Sequence, residues 1–181
     1  MLQITIPTIE MWDEAKEEFV KPQEEQILSL EHSLISISKW ESRWHKAFLT
    51  KREKTNDEIL DYVRCMTLTP NVNPDIYNRL TNDNYKQIND YINESMTATV
   101  FTEDGSGKRN NETITNEVIY NWMISLNIPF EAQNWHLNRL ITQIRVCSIK
   151  NQPPKKMSKS SIGKHQAAVN AARRKKYNTK G

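Results

Sequence analysis

Four histidines, two cysteines and 22 acidic side chains are the groups in this 181-residue chain able to ligate a metal, attack a carbonyl or move a proton. Their spacing supports none of these chemistries. His32, His45, His136 and His165 never stand at metal-ligand spacing with one another or with Cys65 and Cys147, and neither His-Glu-x-x-His nor Cys-x-x-Cys occurs. The run Gly105-Ser106-Gly107-Lys108 looks superficially like a phosphate loop. It has no upstream glycine at the required spacing, and Arg109 stands where the hydroxyl belongs. Cys65 lies in an expected helix close to Val63 and Met66, a position for a small buried hydrophobe. The carboxylates are scattered, and Asp13, Glu14, Glu17 and Glu18 form an acidic solvated face. The expectation is a non-enzyme with no catalytic residue, metal or cofactor.

The charge is unevenly divided. Residues 1–149 carry 15 Lys/Arg against 22 Asp/Glu, a balance of −7, whereas residues 150–181 carry ten Lys/Arg and no acid. Pro153 and Pro154 mark the seam, because two prolines stop a helix arriving from the body. The expected organisation is an acidic domain at 1–150 and a basic, flexible or partly helical tail at 151–181. Hydrophobic residues at 37% and charged residues at 26% give a globular balance. No stretch of about 18 apolar residues predicts a membrane span. The amino end lacks the basic region and apolar run of a secretion signal, and two cysteines suit a reducing, cytoplasmic setting.

Several elements must position whatever the body does. Leu2–Ile6 alternates apolar and polar residues, which predicts a strand ended by Pro7. A second extended piece is expected around Glu18-Phe19-Val20, and Gln26–Glu31 reads as a strand or the start of a helix. Leu34, Ile37, Trp40, Trp44 and Phe48 fall on one helical stripe capped by Ser33. A second helix starts at Asn56, with Ile59, Leu60, Val63 and Met66 behind it; a third spans 82–94. Thr97–Thr102 then reads as a strand, with a hairpin tip at Glu103–Lys108 and a returning strand at Glu112–Ile114. Helices over 116–126 and 131–149 close the body, joined through Pro129. The fold class is α+β: a mainly α-helical domain with a small N-terminal strand region, one β-hairpin and the basic C-terminal tail.

Two features bear on binding. Trp40, Trp44 and Phe48 are either core or an anchor surface for a partner protein, since large aromatics dominate both settings. In the tail, Lys155, Lys156, Lys159, Arg173, Arg174, Lys175 and Lys176 are candidate contacts for an acidic protein or for phosphates. Tyr177 is the tail's one aromatic, so base stacking has little to use and nucleic acid is not favoured.

The runs Leu30-Glu31-His32-Ser33-Leu34 and Ser38-Lys39-Trp40-Glu41-Ser42-Arg43-Trp44, the segment Trp135–Leu140 and the tail Ala171-Ala172-Arg173-Arg174 resemble small tail assembly chaperones of tailed, siphovirus-like bacteriophages of low-GC bacteria. The resemblance spans nearly the whole chain, and none of its motifs carries a defined chemistry. It implies a protein of the host cytoplasm, absent from the mature virion. Such a protein binds the tape measure protein, keeps it soluble and helps recruit tail tube protein around it, with a homo-oligomer allowed for. Two other readings stand beside it: a structural virion connector or tail-completion protein, and a small nucleic-acid-binding protein acting through the basic tail.

Overall fold

The computed structural model describes residues 1–13, 18–101, 113–152 and 159–179. Strand β1 (Leu2–Ile6) pairs antiparallel with β4 (Gln26–Leu30) in the register Leu2 to Leu30 and Ile6 to Gln26. Alternation decides which faces turn inward. Ile4, Ile6, Leu28 and Leu30 are buried, while Ile27 on the opposite face is 55% exposed. Between them, β2 (Ile9–Asp13) and β3 (Glu18–Gln23) form a second antiparallel pair with an irregularity between Ile9 and Met11. Arg79 spans the interruption between the two pairs, donating to the carbonyls of Pro7 and Glu24. The segment Gln26–Leu30 is therefore strand, not the start of a helix.

Six helices follow among the described residues: α1 (Leu34–Trp44), α2 (Asn56–Met66), α3 (Asn82–Asn93), α4 (Asn116–Ser125), α5 (Leu137–Lys150) and α6 (Lys159–Tyr177). Short 3-10 turns cover Pro74–Arg79 and Phe130–Asn134. Their starts follow side-chain capping chemistry. Ser33 accepts from the Ser36 amide, and Thr55 with Glu58 and Thr81 with Asn84 form reciprocal capping boxes. Asn84 also donates to the Thr5 carbonyl at 3.1 Å, tying the start of α3 to β1. The end of α2 is tied to β4 through Glu31 N to Met66 O and Leu68 N to Ser29 O.

The architecture is α+β and mainly helical, with a small antiparallel N-terminal sheet region. Two units divide the chain, Met1–Ser148 and Ile149–Gly181. Core residues of the first come from β1, β4, each of α1 to α5 and the Pro74–Arg79 turn, with Leu34, Ile37, Trp40, Met66, Ile119, Met123 and Leu140 fully buried.

Three expectations need correction. The hairpin forms from β2 and β3 rather than near residue 100. Thr97–Phe101 and Thr113–Thr115 carry no strand, and Glu103–Lys108 lies outside the described residues. Thr97–Phe101 has β-branched residues but no ladder partner: Val100 is 88% exposed and the Thr97 hydroxyl turns back to the Thr99 amide. Helix α1 stops at Trp44, because His45 enters the left-handed region (φ 52°) and its N–H closes onto the Glu41 carbonyl. Phe48 thus reaches the core from a loop. The helix expected over 131–149 is split, with a 3-10 turn, a break at Trp135-His136 and α5 starting at Leu137.

Candidate functional site

The buried polar groups concentrate where α1 and α5 begin and along the α1–α2 contact. His32 and His136 are both buried, with ring centroids 5.1 Å apart, and the Leu137 amide donates to the His32 carbonyl at 2.7 Å. His136 is fixed as a neutral ring by its partners. Its Nε2 meets the Tyr91 carbonyl at 3.0 Å and so carries the hydrogen. Its Nδ1 accepts from the Asn138 amide at 3.2 Å, which makes the imidazole the cap of α5. The Nδ1 of His32 lies 2.6 Å from the Tyr62 hydroxyl. Burial, then the neighbouring His136, pulls the pKa of His32 down to about 3, and burial also lowers that of His136.

Three carboxylates on α1 and α2 are engaged in structure. Glu41 accepts from the Phe48 amide at 2.7 Å through one oxygen. Its other oxygen accepts from the Asn116 amide at 2.8 Å and the Asn116 side chain at 2.6 Å, capping α4, where Thr115 makes no side-chain cap. Glu58 receives Lys46 and Arg52, each at 2.8 Å, and the Thr55 amide at 3.0 Å. Arg52 and then Lys46 hold its carboxyl at about 2, against the pull of burial. Asp61 receives the Arg43 guanidinium and, at 2.8 Å, the Trp44 indole N–H. Cys65 and Cys147 are free thiols; burial and Asp61 push Cys65 up to about 11, away from the thiolate needed for attack. Among the described residues no group of three or more His, Cys, Asp or Glu is placed to hold a metal.

The aromatic stripe is packing. Trp40 is fully buried, its indole N–H donates to the Glu58 carbonyl at 2.9 Å, and Phe48 meets it edge-on at 5.2 Å. Phe48 lies 4.0 Å from the Tyr62 ring. Only Trp44 of the three is half-buried, stacked on Trp40 at 6.1 Å. Trp40 is therefore interior, and Phe48 is buried apart from an edge that lines the cleft between α2 and α3, so the two do not form an exposed anchor stripe.

Of the tail candidates, Lys155 and Lys156 lie outside the described residues. Lys159 opens α6, and Arg173, Arg174, Lys175 and Lys176 stand exposed near its end, the last three in its final turn. Four consecutive helical positions, about 100° apart, distribute these cations around the helix rather than on one face. They also complement the negative end of the helix dipole. Each residue of α6 whose exposure is described is exposed.

A cleft of about 260 Å³ between α2 and α3 was not legible in the sequence. Phe48, Tyr62 and Ile88 floor it, and Ile59 and Ile92 wall it. Lys54 stands at its rim with Nζ 4.3 Å from the Phe48 ring centroid. Burial and then Arg52 lower the Lys54 pKa, with Glu58 opposing. In the sequence Ile59, Leu60, Val63 and Met66 fall on one ordinary helical stripe, so their spacing gives no sign of the cleft.

No family model, curated protein or solved structure matches this chain.

Proposed function

We propose that the chain is a partner-binding assembly chaperone of a tailed phage, which holds the tape measure protein soluble and helps recruit tail tube subunits. The observation that carries this reading is α6. The described residues of this nineteen-residue helix are exposed, and most of the stability of a protein helix comes from packing one of its faces. A partner supplies the missing contacts, and the cations of α6 select one with acidic character. The body adds support, because its buried histidines and its carboxylates on α1 and α2 are engaged in holding the fold. The tape measure protein has the apolar stripes that need covering during assembly.

Co-expression tests the proposal. The tape measure protein should be insoluble alone, soluble with this chain, and co-purified with more than one copy of it. An insoluble tape measure protein, together with this chain in washed mature particles, would establish the connector or tail-completion reading instead. The ten cations of residues 150–181 leave one further reading, less favoured, in which the tail binds nucleic acid. That reading requires an affinity that falls steeply and linearly in log–log form with salt.

A further inference from the structure

The cleft between α2 and α3 is built for an apolar group carrying a negative charge beside it. Its floor is apolar and aromatic, and Ile59 on its wall is 39% exposed. Its volume suits one or two large side chains rather than a drug-sized ligand. The charge at the rim decides the chemistry. Lys54 lies over the face of Phe48, and among the described residues no carboxylate is paired with it. Glu58, the acid whose charge acts on Lys54, is already engaged by Lys46 and Arg52. Arg52 beside Lys54 adds repulsion. A partly buried cation with no direct ion pair, above an apolar slot, is complementary to a carboxylate attached to an apolar body.

We propose that this cleft docks an acidic amphipathic helix of a partner protein, seating an apolar side chain between α2 and α3 and a neighbouring Asp or Glu against Lys54. The paired helices form an open groove whose apolar wall continues along α3 from Ile88 to Ile92, a run that matches a helix with anchors three or four residues apart. The inference deepens the proposed function and rests on it, since it names the chemistry of the segment the chaperone holds.

The test uses the full ¹⁵N-labelled chain and two capped 14-residue helical peptides. Both carry leucines at i, i+3 and i+7; one has glutamates beside them and the other lysines. The glutamate peptide should shift the amide resonances of Ile59, Val63, Tyr85, Ile88 and Ile92 and saturate. The lysine peptide should bind about fivefold more weakly, the effect expected of one modestly screened ion pair. Lys54→Gln should abolish that difference and Lys54→Glu should reverse it, with circular dichroism confirming that both remain folded. Equal binding of the two peptides, or shifts confined to other surfaces, overturns the proposal. So does saturation by 3-phenylpropanoate alone, which would mark a small-molecule site, or movement of the same resonances on simple dilution, which would mark a second copy. If Lys54→Glu still solubilises the tape measure protein while the peptides are not distinguished, the cleft assignment fails and the chaperone reading stands. If the peptides are distinguished but the tape measure protein is not protected, the cleft assignment stands and the chaperone reading fails.

Discussion

Lowering the pH from 7 to 5 should cost the body about 2 kcal/mol of folding stability through His32 alone. The ring is 2% exposed, its Nδ1 is 2.6 Å from the Tyr62 hydroxyl, and the neutral His136 ring is its neighbour. None of these contacts is improved by a positive charge, and the folded pKa is about 3 against 6.5 in the unfolded chain. Above pH 6.5 neither state binds the proton and stability is complete. Below it the unfolded chain takes up the proton and the folded one does not. Stability then falls by about 1.36 kcal/mol per pH unit until the folded ring titrates near pH 3. The 1.5 units from 6.5 to 5 give the figure of about 2 kcal/mol. His136 acts in the same direction, because protonating its Nδ1 would remove the acceptor that caps α5. Glu58 loses its contribution only as pH falls from 4.5 towards 2, so the window from 7 to 5 belongs to the histidines. Urea unfolding followed by tryptophan fluorescence at pH 7, 6 and 5 measures the slope. His32→Asn, which keeps a polar atom near Tyr62, should lower the stability at pH 7 yet flatten the pH dependence. A wild-type stability that is constant from pH 7 to 5, or a variant with the wild-type slope, would refute the reasoning.

Trp40→Ala should destabilise the body by about 3–5 kcal/mol and Trp44→Ala by clearly less, because the first empties a core site and the second a half-buried one. Equal costs in denaturant titrations would contradict that placement. Glu41→Ala should cost about 3 kcal/mol, since it leaves the amides of Phe48 and Asn116 without their acceptor; a loss below about 1 kcal/mol would show that water replaces the carboxylate. Removing residues 151–181 should leave the thermal midpoint of the rest within about 2 °C, a shift corresponding to less than 1 kcal/mol. Loss of cooperative unfolding in the shortened chain would show that the tail belongs to the fold.

Local chemistry was legible wherever it acts over a few residues. The alternation of Leu2–Ile6, the cap at Ser33 and the helix start at Asn56 correspond to elements that fold as the pattern directs. What escaped is non-local. Whether Gln26–Leu30 became strand or helix depended on β1 lying beside it. The run Thr97–Phe101 has strand-forming residues but no neighbour to pair with, and propensity contains no record of a missing neighbour. Phe48 sits at the right spacing for the helical stripe but enters the core from a loop, and the spacing left open whether it packs inside or faces a partner. The α2–α3 cleft escaped because Lys54 and Phe48 precede the helix and Ile88 and Ile92 follow a long connection.

Helix α4 has no side-chain cap within its own segment; the carboxylate of Glu41, 75 residues earlier, serves as one. The same carboxylate holds the Phe48 amide after α1 has ended. One side chain thus joins the exit of one helix to the entrance of another, and any opening that carries Glu41 away breaks both bonds. Amide hydrogens at Phe48 and Asn116, distant in sequence, should exchange with solvent through one shared opening event rather than by independent fraying. The start of α4 is in this sense a tertiary contact: it forms when α1 and its loop are already in place, and it is lost with them.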